Sequence, residues 1–80
     1  MSDESEHKYI DLRGTPCPVN FIRCRLALET LEKNQCLQVD LDTGEPESMV
    51  IPGLIEEGHH VTILLRKSTC LRIRVICGGG

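Results

Sequence analysis

The stretch best suited to chemistry is Asp11-Leu12-Arg13-Gly14-Thr15-Pro16-Cys17-Pro18. A short strand ends here, Gly14 turns the chain, and a helix begins at about Pro18. Proline suits the first helical position, because its missing N–H would be unpaired there and its φ is already helical. Cys17 is thereby expected at the N-cap, beside unpaired backbone N–H groups and the positive end of the helix dipole. Both favour the thiolate, which is the nucleophilic form of cysteine. Arg13 and Arg23 add positive charge if they point inward. The plainer reading is that Cys17 is a small residue that only packs.

Other reactive groups are less well arranged. Five cysteines is an odd number, which argues against a fully paired disulfide framework. No Cys-x-x-Cys is present, so the usual zinc or thioredoxin spacing is missing. On one helix Cys17 and Cys24 would lie roughly 10 Å apart, beyond disulfide reach. His59 and His60 adjoin at a turn without further ligand spacing, so they read as surface residues and no metal site is expected. The carboxylates are scattered over solvent faces.

Several elements must hold Cys17 in place. Residues 8–12 read as a strand, with Tyr9 and Ile10 favouring it and Gly14 ending it. Residues 18–33 read as a helix, with Phe21, Cys24, Ala27, Leu28 and Leu31 on one arc facing a sheet and Asn34 as a stop. Val19, Ile22 and Leu26 form a second apolar stripe, flanked by Arg23 and Arg25. A helix on one side of a sheet needs only one apolar face, so the stripe either packs against neighbouring loops or is a partly exposed face that docks partners; the second is the expectation.

Residues 36–42 alternate, placing Leu37, Val39 and Leu41 inward. Residues 47–57 have helical spacing, but Pro52 and Gly53 oppose an unbroken helix. An irregular first turn is expected there, with clear helix from Pro52 onward. Residues 60–66 and 70–77 are strands joined by Lys67-Ser68-Thr69 into an antiparallel hairpin. Val61, Ile63 and Leu65 are expected inward on the first, and Leu71, Ile73 and Val75 on the second. The order β-α-β-α-β-β predicts an α+β fold, a two-layer sandwich with two helices on one face of a four-stranded mixed sheet.

Eighty residues allow one domain with a modest core of Leu, Ile and Val. It is expected over residues 8–77, between a polar tail at 1–7 and a glycine tail at 78–80. A formal charge of −3 argues against general nucleic-acid binding. No apolar leader follows Met1 and no run approaches a membrane span, so the chain reads as cytoplasmic.

The cysteine stretch also resembles the TusA/SirA family of small sulfur-carrier proteins, whose first helix opens on Cys-Pro-x-Pro. Ile10 through Gly14 is similar to the family's first strand. Ile51-Pro52-Gly53 is similar to its second-helix motif, Gly58-His59 to the turn into its third strand, and residues 74–80 to the basic strand and glycine tail of some members. Asn20 departs from the second proline, and Val50 from an acidic residue. The resemblance implies the same fold and a sulfurtransferase role. Cys17 would accept sulfane sulfur as a persulfide, with Arg13, Gly14 and Pro18 supporting the thiolate.

It implies a cysteine desulfurase or rhodanese-like donor, and acceptors in tRNA thiolation, molybdenum-cofactor assembly or sulfur oxidation. No cofactor is required, and a monomer without direct nucleic-acid or membrane contact is expected. The alternative is a non-catalytic interaction or redox-regulatory module. A third reading takes the C-terminal glycines as a thiocarboxylate end, as in ubiquitin-like sulfur carriers.

Overall fold

The computed structural model describes residues 7–78. Its elements are β1 (His7–Asp11), α1 (Val19–Glu29), β2 (Cys36–Asp42), α2 (Glu45–Glu56), β3 (His60–Arg66) and β4 (Cys70–Ile76). The sheet runs β1-β2-β4-β3, with β1 parallel to β2 and the other two pairs antiparallel. The fold is the expected two-layer α+β sandwich. Residues 1–6 and 79–80 of the expected tails lie outside the described residues. His7 belongs to β1, and Gly78 donates its N–H to His59 Nδ1 at 3.0 Å.

The central strands carry the core. Alternation sends Leu37, Val39 and Leu41 of β2 to one face, where each stands opposite Val75, Ile73 and Leu71 of β4 in turn. All six are buried. Cys24 and Leu28 of α1 and Val50 and Leu54 of α2 cover them side by side on that same face. Phe21, Ala27 and Leu31 pack at the margin of this core, so the expected arc of α1 does face the sheet.

Three expectations are corrected. The first helix ends at Glu29 rather than near Lys33. Thr30 donates its N–H to the Ala27 carbonyl at 3.2 Å and its hydroxyl to the same oxygen at 2.7 Å, which tightens the last turn and ends the helix. Asn34 instead takes φ 76° and donates its N–H to Cys77 O, joining the strand that follows to the end of β4.

The second helix runs unbroken from Glu45 with Pro52 inside it. Proline removes one intrahelical bond, a local cost of about 3 kcal/mol. Burial of Val50 and Leu54 on the sheet overrides that cost. Gly53 has its own reason: a Cβ there would stand 2.7 Å from the Phe21 ring, so the glycine lets α1 approach α2.

The third correction concerns β3. Of the residues expected inward, Val61 packs on the core, but Ile63 and Leu65 are exposed. As an edge strand, β3 lies at the rim of the helix layer. A register shift between Ile63 and Leu65 also pairs Leu65 with Arg72, on the uncovered face.

That uncovered face holds Asp40, 5% exposed although it points away from the core. Arg72 donates to its carboxylate through Nε at 2.8 Å and Nη2 at 3.2 Å, and the Tyr9 hydroxyl donates at 2.7 Å. Arg72 chiefly, with Tyr9 adding and burial opposing, holds the Asp40 carboxyl below its ordinary 3.8. Arg13 holds that of Asp11 down at about 2. A carboxyl held low in the folded state contributes stability above its unfolded value, and that contribution is lost as pH falls through the folded value. Urea unfolding should therefore show stability falling below about pH 4. Asp40→Asn should be less stable at neutral pH and show a shallower acid loss. A variant curve parallel to wild type would contradict this role for Asp40.

Candidate functional site

The loop between β1 and α1 is fixed to the sheet before it reaches Cys17. Leu12 is buried and donates its N–H to the Asp40 carbonyl at 2.9 Å, which extends the pairing of β1 with β2. The Thr15 N–H turns back to the Leu12 carbonyl at 3.0 Å. Gly14 sits at φ +79°, a conformation that L side chains rarely adopt, and donates its N–H to Asp42 Oδ2 at 2.7 Å. The turn thus needs Gly14 for its backbone and Asp42 for its anchor.

Cys17 follows as a half-buried free thiol. The N-cap is Pro18, not Cys17, so the cysteine stands one residue outside the expected position. One residue before it, the Pro16 carbonyl accepts the Asn20 N–H at 3.1 Å, closing a turn around Cys17 and Pro18 ahead of the helix. Here Asn20 Nδ2, a side-chain amide rather than a backbone N–H, donates to Cys17 Sγ at 3.3 Å. Asn20 is fully buried, and its Oδ1 accepts the Phe21 N–H at 2.6 Å. Sequence reasoning placed Asn20 only as a departure from proline. Its spacing of three from Cys17 was the available signal.

The other expected site residues divide into groups. Arg13, expected to support the thiolate, is paired with Asp11. Its Nε and Nη2 donate to the Asp11 carboxylate at 2.9 and 2.8 Å, and Asp11 draws the guanidinium towards the uncovered sheet face. Arg25 also has a partner, lying 3.2 Å from Glu57 and over the Phe21 ring at the seam between the helices. Arg23 is exposed and forms no ion pair among the described residues.

The second stripe of α1 is open as expected: Val19 is 45% exposed, Ile22 46% and Leu26 57%. Met49 of α2 is exposed too. Phe21 meets Gly53 and Arg25 meets Glu57, so the helices run parallel and in register. Met49 stands one turn before Gly53, towards the start of α2.

The remaining thiols are placed differently. Burial pushes the Cys24 thiol up to about 12, which keeps it protonated. Cys77 is buried between the Leu28 and Leu31 carbonyls. Cys36 and Cys70 lie half-buried at opposite ends of the sheet, paired with Ile76 and Asp42. A cleft of about 760 Å³ lies at the far ends of the helices, lined by residues such as Leu28, Leu31, Glu57 and Cys77. Cys17 is not in it. The thiol lies on the loop ahead of α1, half-buried, at the other end of the helix from this cleft.

The family described as "Sulfurtransferase TusA" matches residues 8–75. A protein of Archaeoglobus fulgidus, named as a candidate sulfur carrier, is 38% identical over 56 residues, which is 69% of this chain and 62% of that protein. The chain thus spans about three fifths of that relative's length. A crystal structure of a SirA-like protein from Desulfitobacterium hafniense superposes with a TM-score of 0.74 over 88% of this chain and 96% of that one. At 22% identity it shows likeness of fold. With nearly all of its described length inside the family match, the chain belongs to the TusA sulfurtransferase family.

Proposed function

We propose that the protein carries sulfane sulfur as a persulfide on Cys17 and relays it from one protein to another. The observation that carries this reading is a half-buried free thiol on a loop anchored to the sheet, with a side-chain N–H already directed at its sulfur. In loading, the Cys17 thiolate attacks the outer sulfur of a donor's persulfide. The S–S bond of the donor breaks, its electron pair stays on the donor's inner sulfur, and a new S–S bond forms on Cys17. Delivery repeats the step with the acceptor as nucleophile, so no external oxidant or reductant is needed.

A cysteine desulfurase or rhodanese-like protein suits the role of donor. The acceptor would belong to a thiolation, molybdenum-cofactor or sulfur-oxidation route. A cytoplasmic setting would keep the thiol reduced between transfers. The stripe Val19, Ile22 and Leu26 is the docking face in this reading. It starts two residues from Cys17, is open over three helical positions and carries on its flank Arg23, which has no ion pair among the described residues. An apolar partner surface with an acidic rim would fit it.

Cys17→Ser should fold as wild type and accept no sulfur from a persulfide donor, read by mass spectrometry as the absence of an added sulfur atom. Retained loading would overturn the assignment. Ile22→Asp should change stability by less than about 1 kcal/mol, because the site is exposed. It should slow transfer from a donor protein while leaving Cys17 alkylation by a small reagent unchanged. A loss of several kcal/mol on urea unfolding, or unimpaired protein-to-protein transfer, would rule out the docking face.

A further inference from the structure

Asn20 is a carboxamide with no exposure, at the one place where burial puts a polar side chain against the reactive thiol. Its orientation is fixed by a neighbour. The Phe21 N–H needs an acceptor and finds Oδ1 at 2.6 Å, so the NH₂ end faces Cys17 Sγ at 3.3 Å. The proline expected from the family resemblance has no side-chain donor, so this contact belongs to the chain's own residue.

We infer that Asn20 biases the carrier towards release, because its N–H stabilises Cys17 as a bare thiolate better than it stabilises the loaded persulfide. This rests on the persulfide reading above. In the loaded form the negative charge sits on the outer sulfur, about 2 Å beyond Sγ. The Asn20 N–H then faces a nearly neutral inner sulfur, and its bond weakens. When an acceptor thiolate attacks the outer sulfur, the Sγ–S bond breaks and its electron pair returns to Sγ. The bond between acceptor and outer sulfur forms in the same step, and the acceptor leaves as the persulfide. Charge thus develops on the atom to which Asn20 donates. A hydrogen bond to a charged group differs from one to a neutral group by enough to shift an equilibrium about tenfold.

The test equilibrates purified wild type, Asn20→Ala and Asn20→Asp with cysteine persulfide and cysteine at fixed pH, and reads loaded against unloaded Cys17 by mass spectrometry. Asn20→Ala removes the donor. Asn20→Asp keeps an oxygen for the Phe21 N–H and turns another towards the sulfur. Both should raise the loaded-to-unloaded ratio, by about tenfold for Asn20→Ala, and both should release sulfur to free cysteine more slowly. A merely structural role would lower loading or leave the ratio unmoved. Folded variants with an unchanged or lower ratio, beside a wild type that loads, overturn the inference alone. A wild type that never loads overturns the carrier reading and this inference with it. Should either variant fail to fold, the Asn20 side-chain amide resonance of wild type decides. Its proton should move upfield on loading Cys17, and an unmoved resonance overturns the inference.

Discussion

The hydrogen bond from the Gly14 N–H to the Asp42 carboxylate ties the thiol loop to the sheet. Asp42 is the last residue of β2, the strand whose backbone also receives Leu12 and whose side chains fill the core. The position of Cys17 therefore follows from β2 rather than from the loop's own preferences. Gly14 permits the turn, Asp42 holds it, and buried Leu12 anchors its start. Loss of the anchor would free a stretch that has little else to fix its course before the first turn of α1.

Charge is distributed to the same end. Arg13 with Asp11, Arg25 with Glu57, Arg66 with Glu47 and Arg72 with Asp40 form pairs within the fold. Arg23, without an ion pair among the described residues, flanks the apolar stripe. The first three pairs are solvent-accessible and contribute little stability singly, whereas Asp40 is buried; all four pairings engage cations that would otherwise stand free. The thiol loop leads directly into the stripe, which starts at Val19 and runs along α1. Polar chemistry at the sulfur comes from one buried amide, and its burial keeps that donor out of competition with water.

Much of the fold was legible because two periodicities are clean. The two-residue alternation of Leu37, Val39 and Leu41 cannot be satisfied by a helix, and it located β2 to the residue. The arc through Cys24 and Leu28 likewise located the buried side of α1. The failures arise where tertiary packing overrides local preference. Pro52 suggested a break in α2, but burial of Val50 and Leu54 carries the helix through it. Leu65 continued the alternation of β3 in sequence, and a register shift turned it outward. At the site, Cys17 and its exposed neighbours could be read from the Gly–Pro punctuation and the surplus stripe. The pairing of Arg13 with Asp11 could not, because the competition between two charges for one arginine is decided in three dimensions. Asn20 escaped for the same reason. A polar residue at a helix start usually faces water, and its burial appears only once the loop is folded onto the helix.

The central claim is that position, not accessibility alone, selects Cys17 as the sulfur site. Cys36 and Cys70 are also half-buried free thiols, which makes a direct comparison possible within one molecule. The decisive measurement exposes native protein to a substoichiometric amount of a persulfide donor, caps free thiols and locates the added sulfur by peptide mapping. The account predicts that the sulfur is found on Cys17, with Cys36 and Cys70 capped but unloaded. Sulfur shared among the three, or resting on Cys36 or Cys70, would contradict it.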